Sequence, residues 1–410
     1  MAMFSIGKFT PRGLEGADNA LDRISISGEW EVRYDASRVQ RVSLGPWSFI
    51  WYGEYGTEPD FERAVNLLES DNLAGLWGLR GILIAVNREI SCVYLFNDCY
   101  GSFPVFFQPN FDTKGPLVSD SLRTFTGNGI DWASFYQFLS FGYVFSPHTV
   151  LANVERLGAN RGLKISFTDR CPRISIFSLW NFWTSSQSSR ENGTDDLIDI
   201  LRAEAKGFDA TQLMMSGGWD SRLLLSVLSD SRPELFTHGD TSSREAAIVE
   251  DIASLCGLPL TKRGFEPEDI SLGVFKSYLD RNESAMFTHW NPAAARAKDK
   301  NLIMTAGTFG EVLGGHYGTL NTLRGKKKHL SLLTHMLGFG GVMDNLLNLH
   351  DRTRVLGFLR MSSYRVFWFL KPDLRNEICG QNLIETSNKR LEVLFDRYQS
   401  EGMEDAQSMF

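Results

Sequence analysis

Residues 212–228 read QLMMSGGWDSRLLLSVL, and their pattern decides the fold of the second half of the chain. Leu213 to Met215 form a short apolar run of the kind that ends a buried parallel strand. Ser216 to Ser221 form a glycine-rich turn, after which apolar residues resume at helical density. This strand–turn–helix pattern predicts an anion site, because free backbone N–H groups and the positive end of the helix dipole point at the ligand.

The residue types of the turn indicate a phosphate ligand accompanied by a metal ion. Gly217 and Gly218 let the backbone approach a phosphate closely, while Ser216 and Ser221 add hydroxyl donors. Asp220 places a carboxylate beside that phosphate, which requires a cation between them. Mg²⁺ fits this role, since it binds through one or two carboxylates plus substrate phosphates. The turn lacks the Gly-Lys-Ser/Thr ending of the ordinary P-loop.

Strands and helices alternate after the turn. Residues 234–240 predict a second short strand, and residues 244–255 predict a helix that ends at Gly257 in the C-cap manner. This alternation predicts an α/β fold with a doubly wound parallel sheet, in which the ligand lies at the carboxyl ends of the strands.

The turn resembles the pyrophosphate-binding loop, Ser-Gly-Gly-x-Asp-Ser, of the AMP-forming ATP pyrophosphatases, which include asparagine synthetase, β-lactam synthetase and GMP synthetase. The resemblance implies that residues 195–410 form an asparagine-synthetase-like domain that binds ATP and Mg²⁺. It also implies that backbone at Met214, Met215, His238 and Gly239 holds adenine. For His238, a turn histidine without a chemical role is the competing interpretation.

A second glycine-rich stretch, IMTAGTFGEVLGGHY at residues 303–317, predicts a buried strand running into a turn with one carboxylate. It resembles the family's second loop, Gly-x-Gly-x-Asp-Glu-x-x-Gly-Gly-Tyr. When the two loop sequences are aligned from Gly307, Glu311 takes the place of the family's aspartate, which would share Mg²⁺ with Asp220. Aligned at the later Gly-Gly pair, Glu311 stands at the following glutamate and Gly310 at the aspartate. In either alignment the resemblance implies that Asp220 and Glu311 are the metal-binding and catalytic residues, with both loop glycines at the nucleotide.

The first half of the chain predicts a β-rich domain with helical interruptions. Strands are predicted at Gly28 to Tyr34, at Gly45 to Tyr52 and, as a continuous apolar run, at Ile82 to Val86, with a helix at Phe61 to Glu69. The Ser-rich residues 185–194 predict the boundary between the two domains.

Residues 1–185 resemble the N-terminal glutaminase domain of glutamine-dependent asparagine synthetases, an N-terminal-nucleophile sandwich of two sheets between helices. Residues 53–55 and 98–104 carry the resemblance. Two departures matter: position 2 is Ala where the family has its nucleophilic cysteine, and Tyr52 replaces the asparagine expected at the oxyanion. The first cysteine, Cys92, falls inside a predicted buried strand. We therefore expect an inactive glutaminase-like domain that serves as a scaffold.

Composition sets limits on the partners and the compartment. A net charge of −7 disfavours nucleic acid, and the 43% hydrophobic and 22% charged content is that of an ordinary globular protein. Five scattered cysteines without a C-x-x-C pair indicate a reducing cytoplasm. Because the sequence has no apolar run of about 18 residues, we expect no membrane span.

Together these features predict an ATP-dependent, AMP-forming ligase that adenylates a small-molecule carboxylate and lets ammonia or an amine displace AMP. The carboxylate stays open among aspartate, a sugar acid and a peptide. The alternative is a catalytically weakened nucleotide-binding pseudoenzyme that partners an intact synthetase; an ATP pyrophosphatase acting on RNA is disfavoured by the acidic charge. Homo-oligomer formation is also open. The synthetase domain reads as shortened, and only Lys371 and Lys389 match, by residue type alone, the family's late lysine.

Overall fold

The chain forms two compact units in the structure, which is a computed structural model. The residues that it describes are 3–8, 21–53, 58–76, 78–111, 116–167, 171–179, 194–205, 210–284, 288–307, 371–373, 375–376 and 382–400. The first unit comprises Met1–Ser185, Tyr278–Ser284 and Ser362–Leu391, and the second comprises Ser186–Ser277, Ala285–Met361 and Glu392–Phe410. The predicted boundary at residues 185–194 lies outside the described residues except for Thr194, so that boundary stays a prediction.

The described part of the first unit contains two six-stranded antiparallel sheets. Their strands, in chain order, are β1 (Phe4–Lys8), β2 (Asp22–Ser27), β3 (Trp30–Tyr34), β4 (Gln40–Leu44), β5 (Trp47–Gly53), β6 (Gly81–Asn87), β7 (Cys92–Phe96), β8 (Phe106–Phe107), β9 (Val118–Ser119), β10 (Glu155–Arg156), β11 (Arg161–Ser166) and β12 (Arg173–Ser178). One sheet has the order β10-β8-β9-β1-β3-β2 and the other β12-β11-β7-β6-β5-β4.

The two sheets pack face to face on one hydrophobic core, and β6 shows why its sequence is apolar throughout. Ile82, Ile84 and Val86 lie in the core that the sheets share. Leu83 and Ala85 point to the opposite face, because successive strand residues alternate, and there they pack with helix α1 (Phe61–Glu69). Burial on both faces explains the continuous apolar run, and the first unit is a sandwich of sheets. A second helix, α2, spans Trp132–Phe141.

The predicted strands are present, but two of them begin later than the sequence indicated. Gly28 and Gly45 adopt positive φ angles of 57° and 56°, which place them in the turns that precede β3 and β5. Glycine enters this left-handed region at no steric cost, so it serves here as a turn residue. Cys92 is buried in β7 as predicted, and α1 has the predicted bounds.

A buried carboxylate holds the start of β1. Asp120 accepts hydrogen bonds from the backbone N–H groups of Met3, at 2.8 Å, and Phe4, at 3.3 Å. Asp120 is 4% exposed, so these charge-assisted bonds compensate for its burial. The bonds anchor a strand that lies in the middle of its sheet, between β9 and β3.

The second unit contains a four-stranded parallel sheet, as predicted. Its strands are β13 (Thr211–Met214), β14 (Glu234–His238), β15 (Leu260–Arg263) and β16 (Ile303–Ala306), in the order β15-β14-β13-β16.

The further helices of the described residues are α3 (Thr194–Ala205), α4 (Trp219–Leu228), α5 (Arg244–Cys256), α6 (Leu272–Asn282), α7 (Asn291–Asp299) and α8 (Leu383–Ser400). Gly257 ends α5 with a φ of 61°, which confirms the predicted glycine C-cap. None of the helices in the described ranges has the length and apolar character needed to span a bilayer.

Helices α4 and α5 cover the sheet through a core that includes Leu213, Leu225, Leu235 and Val249. The strand predicted to be buried at residues 303–306 is only half-buried along its whole length. We attribute this to its position at the end of the described strand order, where β13 is its one described neighbour.

A buried carboxyl group connects the segment Tyr278–Ser284 to the rest of the first unit by a hydrogen bond. Glu283 is 2% exposed, and its Oε1 accepts a hydrogen bond from the Val150 N–H at 2.6 Å. Its Oε2 has no hydrogen-bond partner. Burial raises the pKa of Glu283 to about 7, although the Val150 N–H and the charge of Arg156 act to lower it. Glu283 therefore holds a proton in the folded protein at pH values where an exposed glutamate is ionised.

We expect Glu283→Gln to remove a pH dependence of stability. Because folding raises the pKa from 4.5 to about 7, the contribution of Glu283 is fully present below pH 4.5 and is lost as the pH rises through about 7. The loss amounts to up to about 3 kcal/mol. Thermal unfolding between pH 5 and 8 should show a decline for the unaltered chain and a flatter profile for Glu283→Gln. Glu89→Gln, at an exposed position of the same unit, serves as the control, and equal slopes for all three proteins would contradict the assignment.

Candidate functional site

Four residues join β13 to helix α4 at the carboxyl ends of the parallel strands. β13 ends at Met214, and α4 begins at Trp219, with Gly218 in an extended conformation at the N-cap. No side chain caps the first turn of α4. The N–H groups at this helix terminus therefore keep their ability to bind an anion.

Two serine hydroxyls brace the turn from inside. The Ser221 hydroxyl accepts from the Ser216 N–H at 3.2 Å and lies 3.0 Å from the Ser216 carbonyl oxygen. The Ser216 hydroxyl accepts from the Gly218 N–H at 3.1 Å. The sequence indicated these hydroxyls as ligand donors, whereas in the structure they bond to the turn itself. Their role here is to fix the backbone conformation that presents the remaining amides.

Gly307 brings the end of β16 against the start of α4. A Cβ atom at Gly307 would lie 2.8 Å from the Ser221 nitrogen and 2.9 Å from the Asp220 carbonyl carbon. Real Cβ atoms do not approach backbone so closely, so only glycine fits at this position. The first residue of the second predicted loop therefore contacts the first loop directly.

A cavity of about 610 Å³ opens at this edge of the sheet. Eight of the predicted site residues line it: Met214, Met215, Ser216, Asp220, Ser221, His238, Gly239 and Gly307. Gly217 and Gly218 belong to the same turn but do not line the cavity. Gly310 and Glu311 lie outside the described residues, so their assignment stays a prediction.

Sequence reasoning missed several residues of the cavity wall. Asp240 lies two residues beyond the end of β14, Glu245 lies in the first turn of α5, and Trp290 precedes α7. The position of Asp240, just beyond a parallel strand, is a signal that could have identified it. Trp290 lies far away in sequence, and nothing in the local pattern indicates it.

The charged residues that line the cavity are acidic. Asp220, Asp240 and Glu245 contribute carboxyl groups, and no lysine or arginine occurs among the lining residues that the structure describes. The Ser242 hydroxyl, which donates to Asp240 at 2.6 Å, lowers the pKa of that carboxyl group. Burial and then the charge of His289 lower the pKa of His238, so its imidazole is neutral near pH 7. A polyanion would therefore require accompanying cations in this cavity.

Magnesium fits this donor set when it arrives with a phosphate ligand. Carboxylate oxygens are hard ligands of the kind that Mg²⁺ prefers, and Asp220 lies at the turn. In the described part of the chain, no group of three or more His, Cys, Asp or Glu side chains could hold a metal ion.

A cation lies at the outer side of the turn. The Arg222 guanidinium stacks over the Trp219 ring at 4.1 Å, and its Nε donates to the Gly218 carbonyl oxygen at 3.1 Å. Trp219 is 79% exposed, and neither side chain lines the cavity. The late lysines do not line it either: Lys371 and Lys389 belong to the first unit, and Lys389 pairs with Glu385 at 2.9 Å.

Comparison of the chain with protein-family models and with curated protein sequences finds no match in either set. Its function is therefore inferred from its own residues and their geometry.

We expect Gly307→Ala to distort the turn and to weaken anion binding. The added methyl group would meet backbone atoms of Asp220 and Ser221, which cannot move without shifting the start of α4. Overpacking of this kind costs about 1–3 kcal/mol of stability. Thermal unfolding and calorimetric titration with Mg²⁺–ATP measure both effects. Gly129→Ala is the matched control, because no atom lies within 4 Å of a Cβ there; equal behaviour of the two variants would refute the close contact.

Proposed function

We propose that the second unit, whose parallel sheet and turn lie within residues 195–410, is an ATP-dependent, AMP-forming ligase of the asparagine-synthetase type. The observation that carries the proposal is the braced turn of Ser216 to Ser221. It joins a parallel strand to an uncapped helix N-terminus beside the 610 Å³ cavity. Few ligands other than a phosphate group use a helix N-terminus, a glycine turn and an adjacent carboxylate together.

The residues around the turn support distinct roles toward ATP. Amides of the turn and of the first turn of α4 would stabilise negative charge on the departing pyrophosphate. Met214, Met215, His238 and Gly239 line the cavity at the ends of two adjacent strands, where the adenosine part would lie. A neutral His238 suits this role, since it adds no charge next to the base.

Asp220 would hold Mg²⁺ together with Glu311, the residue that only the resemblance assigns. When bound, Mg²⁺ supplies neutralisation of charge on the phosphates. The substrate carboxylate would attack the α-phosphorus to form an acyl-adenylate and release pyrophosphate. Ammonia or an amine would then attack the acyl carbon and release AMP, which leaves an amide.

The first unit supports the role of an inactive glutaminase-like scaffold. Its two antiparallel sheets share one core, as an N-terminal-nucleophile sandwich requires. Cys92 is 3% exposed, and burial raises the pKa of its thiol, so it is unsuited to nucleophilic attack. With such a scaffold, the nitrogen donor would be free ammonia or an amine substrate.

A nucleotide-binding pseudoenzyme is the second candidate, and one observation favours it. The described cavity wall has no lysine or arginine that could neutralise charge in the transition state. Each missing contact of this kind costs roughly 10²- to 10³-fold in rate. A pseudoenzyme of this type would bind Mg²⁺–ATP without forming an acyl-adenylate.

We expect Asp220→Asn to weaken Mg²⁺–ATP binding by roughly tenfold or more, since it removes a carboxylate from the metal site. Asp230→Asn is the control, because it makes the same chemical change at an exposed position just beyond the other end of α4. Isothermal titration calorimetry gives the affinities. Equal affinities for the two variants would exclude the metal-linked nucleotide site.

ATP–pyrophosphate exchange in the presence of aspartate, sugar acids or peptides distinguishes the ligase from the pseudoenzyme. We expect exchange by the unaltered chain with one class of acid. Glu311→Asp should raise the rate in the alignment from Gly307, where Glu311 stands at the family's aspartate, and should not raise it in the alignment at the later Gly-Gly pair. Binding of Mg²⁺–ATP without exchange under any of these conditions would instead support the pseudoenzyme. Absence of both would overturn the nucleotide site.

A further inference from the structure

A carboxylate from a neighbouring helix occupies the turn. Oε1 of Glu245 accepts a hydrogen bond from the Gly217 N–H at 3.2 Å. The Glu245 chain also passes beside the turn: a Cβ atom at Gly217 would lie 3.6 Å from the Glu245 Cγ, an ordinary van der Waals distance. The Glu245 side chain therefore lies against the turn and accepts a hydrogen bond from it.

This hydrogen bond differs in kind from the others in the turn. The Ser216 and Gly218 N–H groups bond to serine hydroxyls of the turn itself, which fix its shape. The Gly217 N–H instead bonds to an anionic oxygen supplied by α5. A carboxylate oxygen and a phosphate oxygen are the same type of acceptor for a backbone N–H.

The position of Glu245 in its own helix allows it to move. Ser243 caps α5 by accepting from the Ala246 N–H at 3.1 Å, so the helix start does not depend on Glu245. The Glu245 side chain is exposed, and its bond to Gly217 is open to water. Such a bond is weak enough for a stronger anion to displace it.

We propose that Glu245 is a built-in competitor of phosphate: its carboxylate binds the Gly217 N–H and is displaced when phosphate binds at the turn. The proposal rests on the proposed function, because it requires the turn to bind a phosphate. Glu245 lines the cavity together with Asp220 and Asp240, so its charge also opposes any phosphate that arrives without a metal ion. The Glu245 carboxylate therefore lowers the affinity of the turn for metal-free phosphates more than for Mg²⁺-bound phosphates.

The test compares inorganic pyrophosphate binding by the unaltered chain, Glu245→Gln, Glu245→Ala and Asp251→Asn. Asp251→Asn changes the net charge equally at an exposed position of the same helix and controls for the overall field. Calorimetry at low ionic strength, with and without Mg²⁺, gives the dissociation constants. We expect roughly three- to tenfold tighter binding by Glu245→Ala. A smaller gain is expected for Glu245→Gln, whose amide oxygen still accepts, and none for Asp251→Asn. The gains should be larger without Mg²⁺.

Each other outcome has a distinct meaning. Unchanged affinity in both Glu245 variants, with the unaltered chain binding pyrophosphate, overturns the competitor while leaving the nucleotide site intact. Weaker binding confined to Mg²⁺ conditions would make Glu245 a metal ligand and likewise overturn it. Absence of pyrophosphate and Mg²⁺–ATP binding by every protein, with thermal unfolding unchanged, would overturn the competitor and the proposed function together.

Discussion

Parallel pairing of β13 with β14 on one side and β16 on the other is the constraint on which the candidate site depends. It brings the carboxyl ends of these strands to one edge, although their residues lie far apart in the chain. At that edge, Gly307 allows the end of β16 to approach the first turn of α4. The cavity and the turn are therefore products of one sheet, and any shift in strand register would separate them.

The site combines a local positive potential with an acidic wall. Backbone amides at the start of α4 attract anions, whereas Asp220, Asp240 and Glu245 repel them. A ligand that carries both phosphate oxygens and a divalent cation satisfies both features, because the cation neutralises the carboxylates while the phosphate meets the amides. Under the proposed function, this complementarity favours a metal-bound phosphate over a free phosphate.

The first unit is built on a different physical principle. Its sheets bury apolar side chains on a shared core, and β6 is covered on both faces, so the stability of the sandwich comes from packing. Asp120 enters this interior with two backbone N–H partners, whereas burial raises the pKa of Glu283 in the same unit. Cys92 of β7 is part of this apolar packing and is buried with it.

The sequence pattern was sufficient to predict those elements that form through interactions between neighbouring residues. The sequence by itself determined the apolar strand β6, the helix α5 with its glycine cap and the turn at Ser216 to Ser221, because periodicity and glycine placement act over a few residues. It did not identify β1, whose start bonds to Asp120 more than a hundred residues away, and it overestimated the burial of β16. Only the tertiary structure decided that Glu245 lies on Gly217. That contact depends on how two helices pack on one sheet, and such packing leaves no periodic signal in the chain.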